Sequence, residues 1–212
     1  MKKPTPEGFT LIELMVVITI IALLSVSLIG PINNVLLAAK KTADTANLHW
    51  HYSVLRSYEL RHKRLPTPGG HKFVLAPWIS GTVEHTEANR DRYFSKALDS
   101  DAHVIDLMDE SEDGIWKDFD SVSSLDTHFA GRAREGRRHM NSGREIWMAT
   151  DNEGGNTYRD GSVLLLFGDN TVKEIRRDPD QIKLGAPADI DVEYALEVGP
   201  NSPHPDLRKL RK

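Results

Sequence analysis

The chain has 212 residues, enough for one or two folding units, of which 39% are hydrophobic and 27% charged. Its 27 Lys and Arg nearly balance 31 Asp and Glu, for a net charge of -4, which excludes both the basic excess of a general nucleic-acid binder and an acidic disordered chain. Cysteine is absent, so disulfides, thiolate zinc sites, iron-sulfur clusters and cysteine nucleophiles are excluded together.

Mean hydropathy is -0.42, yet the apolar residues crowd toward the N-terminus. Residues 1–8, MKKPTPEG, form a short polar leader. Residues 9–30, FTLIELMVVITIIALLSVSLIG, form an apolar run whose only ionisable side chain is Glu13. As a helix the run is about 33 Å long, enough for a bilayer core of about 30 Å, and it exceeds the apolar region of an ordinary secretory signal. The spacing predicts one membrane crossing. Lys2 and Lys3 place the N-terminus in the cytoplasm and the rest of the chain on the far side.

Glu13 is the anomaly, because a carboxylate at membrane depth costs about 3 kcal/mol unless it is paired. In an isolated subunit it can reach the cytoplasmic interface. If the chain is cut after Gly8, the new amine of Phe9 is the nearest countercharge.

Gly8-Phe9-Thr10-Leu11-Ile12-Glu13 resembles the prepilin signature of type IV pilins and type II secretion pseudopilins: a short basic leader, Gly before the cut, Phe after it, Glu as the fifth mature residue and an uninterrupted apolar run. The resemblance implies cleavage between Gly8 and Phe9 by a membrane prepilin peptidase and N-methylation of Phe9. It also implies polymerisation with copies of itself and other pseudopilins into a helical filament, on an inner-membrane assembly platform. Glu13 and Phe9 are then the assembly residues. The signature covers about the first 30 residues and leaves pilin and pseudopilin both open.

Gly30-Pro31 interrupts the run, where proline removes one helical hydrogen bond and bends the helix. Beyond it, Ile32, Leu36, Ala39, Ala43, Ala46, Trp50, Val54 and Tyr58 recur at helical spacing and predict an amphipathic continuation over 31–64 with that stripe buried. Lys40, Lys41, Asp44, Asn47 and Arg56 fill the opposite, solvated face. His49 and His51 point in different directions and share no ligand. Prolines and glycines over 65–70 end the helix. Arg56-Ser57-Tyr58 followed by Arg64-Leu65-Pro66-Thr67 is similar to the end of the long helix in major pseudopilins.

Residues 65–198 are expected to form one globular domain, with strands over Phe73 to Ile79, His103 to Leu107, Glu145 to Thr150, Ser162 to Phe167 and Thr171 to Arg176. Gly168-Asp169-Asn170 reads as a hairpin turn. The fold class is α+β: a long N-terminal helix packed on an antiparallel sheet, the pilin-like arrangement. Residues 199–212, rich in proline and basic residues, read as a flexible tail.

Phe129-Ala130-Gly131-Arg132, Glu145 to Asn152, Arg159-Asp160-Gly161-Ser162 and Leu166-Phe167-Gly168-Asp169 are similar to a set of planctomycete pseudopilin-like proteins, although Tyr158 and Arg159 stand where relatives often carry His. That similarity favours a secretion pseudopilin over an adhesive pilin. The resemblance to major pseudopilins implies calcium near the C-terminal part of the domain, for which Asp151, Asn152, Glu153, Asn156, Asp160 and Asp169 supply hard oxygen ligands. The same residue types build ordinary turns, and EF-hand spacing is absent.

The acidic run from Asp99 to Asp126 contains Lys117 as its only Lys or Arg, and Arg132, Arg134, Arg137, Arg138 and Arg144 follow it. Pairing between these clusters, within or between subunits, accounts for both. A hydrolase would need two of the carboxylates with His103, but no catalytic motif fixes which. The function classes are therefore a pseudopilus subunit, a surface pilin for adhesion, motility or DNA uptake, or a membrane-anchored binding protein or enzyme. The first is expected, without enzymatic activity, without a cofactor other than calcium, and without nucleic acid as a partner. Its place is the inner membrane, with the globular domain periplasmic.

Overall fold

A computed structural model describes residues 9–97, 118–133, 145–150, 158, 161–176, 196, 198–202 and 204–211. Helix α1 is assigned over Leu11–His62 and continues through 30–31. The chain divides into two compact units, Met1–Ala39 and Lys40–Lys212. In the first, the described side chains form a helix that is apolar and exposed around its circumference: Leu11, Met15, Ile18 and Leu23 are all exposed.

The second unit contains the rest of α1, helix α2 over His71–Ile79, the short helix α3 over Glu87–Arg90, and an antiparallel five-stranded sheet in the order β4-β3-β2-β1-β5. The strands are β1 Phe129–Arg132, β2 Ile146–Thr150, β3 Val163–Phe167, β4 Val172–Ile175 and β5 Leu210–Arg211. This is an α+β, pilin-like arrangement. Alternation along β3 sends Val163, Leu165 and Phe167 to one face. There they pack with Ile146, Leu196, Leu207 and Leu210. Every residue of β2 and β3 is buried, so their other face is covered as well. Phe73 of α2 lies 6.1 Å from the Trp147 ring, and His51 of α1 meets Phe129 edge-on at 5.0 Å.

Gly131 fixes how closely α2 approaches β1. A Cβ there would lie 2.4 Å from the Gly70 carbonyl oxygen and 3.1 Å from Phe73. Gly70, which caps α2 with φ of 69°, donates its N–H to the Arg132 carbonyl at 3.0 Å. Strand and helix are thus joined backbone to backbone where a side chain would separate them.

Several expectations change. Phe73 to Ile79, expected as a strand, is the helix α2, and Pro77 sits inside it. A short unbroken apolar run fits either element, and proline removes a ladder donor that an inner strand needs. Residues 199–212, expected as a flexible tail, instead supply β5 and the buried Leu207 and Leu210. Gly131 pairs with Arg211, and Arg132 with Leu210. The expected strand over His103 to Leu107 lies outside the described residues. The strands expected over Glu145 to Thr150, Ser162 to Phe167 and Thr171 to Arg176 appear as β2, β3 and β4, with Asn170 at φ 66° in the turn between the last two.

The buried stripe of α1 is also displaced from the expected one. Asp44, Asn47, Leu48, His51 and Leu55 are buried, whereas Ala46 is exposed and Trp50, Val54 and Tyr58 are only half-buried. The cause is a set of distant donors. Asp44 accepts from the Ser95 hydroxyl, the Lys96 N–H at 2.9 Å and the Tyr158 hydroxyl at 2.7 Å. Those bonds make burial of a carboxylate tolerable. Burial still holds the Asp44 pKa above the usual carboxylate range, against the three hydrogen bonds. His51 places Nε2 3.1 Å from the Arg92 carbonyl oxygen, and burial pushes its pKa down to about 3.

Candidate functional site: the N-terminal end of the first helix

Leu11 is the first residue of α1, which makes Thr10 its cap and Glu13 the third helical position. The Thr10 N–H donates to Glu13 Oε2 at 2.9 Å and the Thr10 hydroxyl donates to the same oxygen at 2.7 Å. In return the Glu13 N–H donates to Thr10 Oγ1 at 3.3 Å. This reciprocal arrangement is a capping box. It satisfies amide groups that the helix start leaves without partners, and it places a negative charge at the positive end of the helix dipole.

The geometry qualifies the reading of Glu13 as an unmatched charge. Within one subunit its carboxylate already has two donors, both from Thr10. Phe9, immediately before the cap, is 79% exposed, so an amine created there would stand one residue from the carboxylate's amide donor. Gly8 lies outside the described residues. Thr10 is the participant that charge counting missed; the Thr-x-x-Glu spacing ahead of an apolar run was its signal.

Among the described residues no helix is long and apolar enough to cross a membrane; the described side chains of the apolar run end at Ser25. From Leu11 to Leu24 the large apolar side chains are 44–83% exposed. Such a surface is apolar on all sides and extends well beyond the patches found on soluble monomers. Thr19 and Ser25 turn their hydroxyls back to the carbonyls of Met15 and Ile21, at 2.7 and 2.8 Å. Their polar groups are therefore satisfied within the helix.

Of the residues expected to hold calcium, Asp169 alone lies among the described residues. Asp151, Asn152, Glu153, Asn156 and Asp160 lie outside the described residues. Asp169 lies in the β3–β4 turn, where its carboxylate accepts the N–H and hydroxyl of Thr171. Asp169 therefore builds a turn. Among the described residues no group of three or more His, Asp or Glu is placed to hold a metal.

The acidic run is described only from Asp118 onward. Asp118 accepts the N–H groups of Asp120 and Ser121 at 2.9 and 2.8 Å, and Asp126 accepts from Ser123. Those backbone bonds hold Asp118 below the usual carboxylate range. Both are turn-forming carboxylates, and His103 lies outside the described residues. Arg132 stacks over the Trp147 ring at 5.1 Å, and the arginines from 134 to 144 also lie outside.

His49 and His51 diverge, as helical geometry requires. His49 Nδ1 lies 2.9 Å from Asn170 Oδ1, and His51 faces the Arg92 carbonyl.

No curated protein and no solved structure matches the chain. Residues 7–29, which contain the Thr10–Glu13 capping box and most of the exposed apolar helix, match the prokaryotic N-terminal methylation motif. The chain carries the N-terminal signature of the type IV pilins and pseudopilins.

Proposed function

We infer that this chain is a pseudopilin, a structural subunit of a type II secretion-like pseudopilus whose polymerisation drives protein export. The observation that carries the reading is the methylation motif over residues 7–29, set on a helix whose apolar surface is exposed on every side. The motif marks filament subunits, not enzymes, and their processing by prepilin peptidase. In the proposed topology residues 9–30 cross the inner membrane once, with the leader in the cytoplasm and the sheet-bearing unit in the periplasm. Cleavage at Gly8-Phe9 and N-methylation of Phe9 precede assembly. Among filament helices, Glu13 exchanges its local Thr10 bonds for the Phe9 amine of an adjacent copy. Misaligned copies leave that charge unpaired, and this penalises the wrong register.

The resemblance of residues 129–132, 145–152, 159–162 and 166–169 to pseudopilin-like proteins supports a secretion role over a surface fibre. Mass spectrometry of the membrane form should find a chain beginning at N-methylated Phe9. Deleting the gene should then remove a set of proteins from the medium while leaving surface fibres unchanged. Loss of surface fibres with an intact set of exported proteins would assign the chain to a pilus instead. A functional form retaining Met1 would refute the processing.

A further inference from the structure

The loop that carries β5 is closed on itself before it reaches the sheet. Gly199 donates its N–H to the Leu207 carbonyl at 3.1 Å, Ser202 donates its N–H to the Gly199 carbonyl at 3.0 Å, and Arg208 Nε donates to the Ser202 carbonyl at 2.6 Å. So folded, the loop presents Leu207 and Leu210, both fully buried, to the apolar face of the sheet. β5 has only two residues, beside which the Ala133 N–H donates to the Lys209 carbonyl at 2.9 Å. A strand this short offers few ladder bonds, so its docking depends on the shape of the loop behind it.

His204 stands in the bend of that loop. Its Nδ1 accepts the Asp206 N–H at 3.2 Å, and its own backbone N–H donates to Ser202 Oγ at 3.3 Å. A backbone amide can only donate, so Nδ1 carries no hydrogen and the proton of the neutral ring sits on Nε2. Protonation adds a hydrogen to Nδ1, which then meets the Asp206 N–H donor against donor. We propose that His204 is a pH-operated latch, which holds the loop and β5 against β1 while the imidazole is neutral and frees them when it is charged. Release makes β1 the edge of the sheet and uncovers the apolar face beneath Leu207 and Leu210. The device works within one chain, whatever the chain assembles into.

The charges acting on the ring belong to its own loop: Asp206 favours protonation, and Lys209 and Arg208 oppose it. Lys209 also pairs with Asp206 at 2.9 Å. Among the strands, β1 and β5 each carry one charge, Arg132 and Arg211, both cations, and β2 and β3 carry none. β4, whose Ile175 borders the same apolar cluster, carries Lys173 and Glu174. Burial, more than any of these charges, holds the His204 pKa below the ordinary value of 6.5. The released loop therefore binds the proton more readily than the docked one. Docking is complete above pH 6.5 and weakens as pH falls through the lower, docked value.

Amide hydrogen exchange of the full chain in detergent, corrected for the intrinsic rate at each pH, reads the latch at Gly199 and Ala133, with Leu165 of the inner strand β3 as the reference for global unfolding. Between pH 7 and pH 5 protection of the first two relative to the third is expected to fall about tenfold. His204→Asn offers an amide oxygen to the Asp206 N–H, in the manner of an Asx turn, and does not titrate, so its protection should stay level. His204→Ala should be poorly protected at both pH values. Equal pH dependence in the native and His204→Asn chains would assign the effect to another group and overturn the proposal, as would native protection that ignores pH. Nitrogen chemical shifts of the native ring decide the matter even if the variants do not fold. An Nε2–H tautomer that titrates below 6.5, in step with the loss of protection at Gly199, is expected; an Nδ1–H tautomer would overturn the latch.

Discussion

Replacing Asp44 by alanine should destabilise the folded unit by about 3 kcal/mol, although hydropathy alone favours the change. Its carboxylate accepts from the Ser95 hydroxyl, the Lys96 N–H and the Tyr158 hydroxyl in a site where Asp44 itself is wholly buried. Each buried donor left without a partner costs about 1–3 kcal/mol. Two effects reduce the sum. Thr150 also bonds Tyr158 and can retain that hydroxyl, and burial already disfavours the charged carboxyl. The Lys96 N–H and Ser95 hydroxyl remain as the principal losses. Urea unfolding of the full chain in detergent, followed by near-ultraviolet circular dichroism, measures the change. Asp44→Asn keeps the volume and one acceptor oxygen but turns an amide NH2 toward a donor, so about 2 kcal/mol is expected. A double-mutant cycle with Tyr158→Phe should return a coupling above about 0.5 kcal/mol. A loss below about 1 kcal/mol for Asp44→Ala would refute the account of why this polar residue lies on the buried stripe.

Gly131→Ala should cost about 1–3 kcal/mol by overpacking, because the added methyl meets the Gly70 carbonyl at 2.4 Å; the same urea titration reads it. His51 has a folded pKa of about 3 against 6.5 for the free side chain, so the unfolded chain binds the proton more readily. Its contribution is complete above pH 6.5 and falls as pH drops toward 3, by about 2 kcal/mol at pH 5. Melting midpoints from pH 7 to pH 4 should show that slope, and His51→Gln should flatten it. Leu207→Ala should lose about 2–5 kcal/mol in the same unfolding assay, because Leu207 is fully buried against the sheet; a flexible tail would lose nothing. Asp169→Ala should weaken the β3–β4 turn by about 1 kcal/mol, read in the same urea titration with chelator present.

The parts of this structure that were legible in sequence are those whose chemistry is local. The methylation motif over residues 7–29 lies in one contiguous stretch, and the Gly168-Asp169-Asn170 turn carries its own backbone preference. The misread parts depend on partners distant in sequence. The phase of α1 was set by Ser95, Lys96 and Tyr158, which donate to Asp44 from 51 to 114 residues away. Hydropathy could not register them. β1 is only four residues and includes a glycine kept for its close contact with α2, so it showed no strand pattern. β5 lies in a segment dominated by proline and basic residues, where two leucines carry the packing and the pairing partner is β1. α2 was a matter of length: nine mostly apolar residues fit strand or helix, and Pro77 was the available discriminator.

The Thr10–Glu13 box changes how assembly through Glu13 is understood. If the carboxylate were bare in the single subunit, any neighbouring cation would relieve it, and correct and incorrect registers would differ little. Two donors from Thr10 already stabilise it, so in the proposed filament an adjacent Phe9 amine would compete with bonds that exist and gain only the difference. Both kinds of bond end on a carboxylate, but the Thr10 donors are neutral, whereas the amine would add the Coulomb attraction of a full opposite charge. The exchange is therefore favourable when the amine arrives in line and unfavourable when it arrives displaced. In the proposed filament Thr10 would in this way set the threshold that a correctly placed neighbour must exceed, while the apolar side chains from Leu11 to Leu24 would add van der Waals packing without a hydrophobic driving force in lipid.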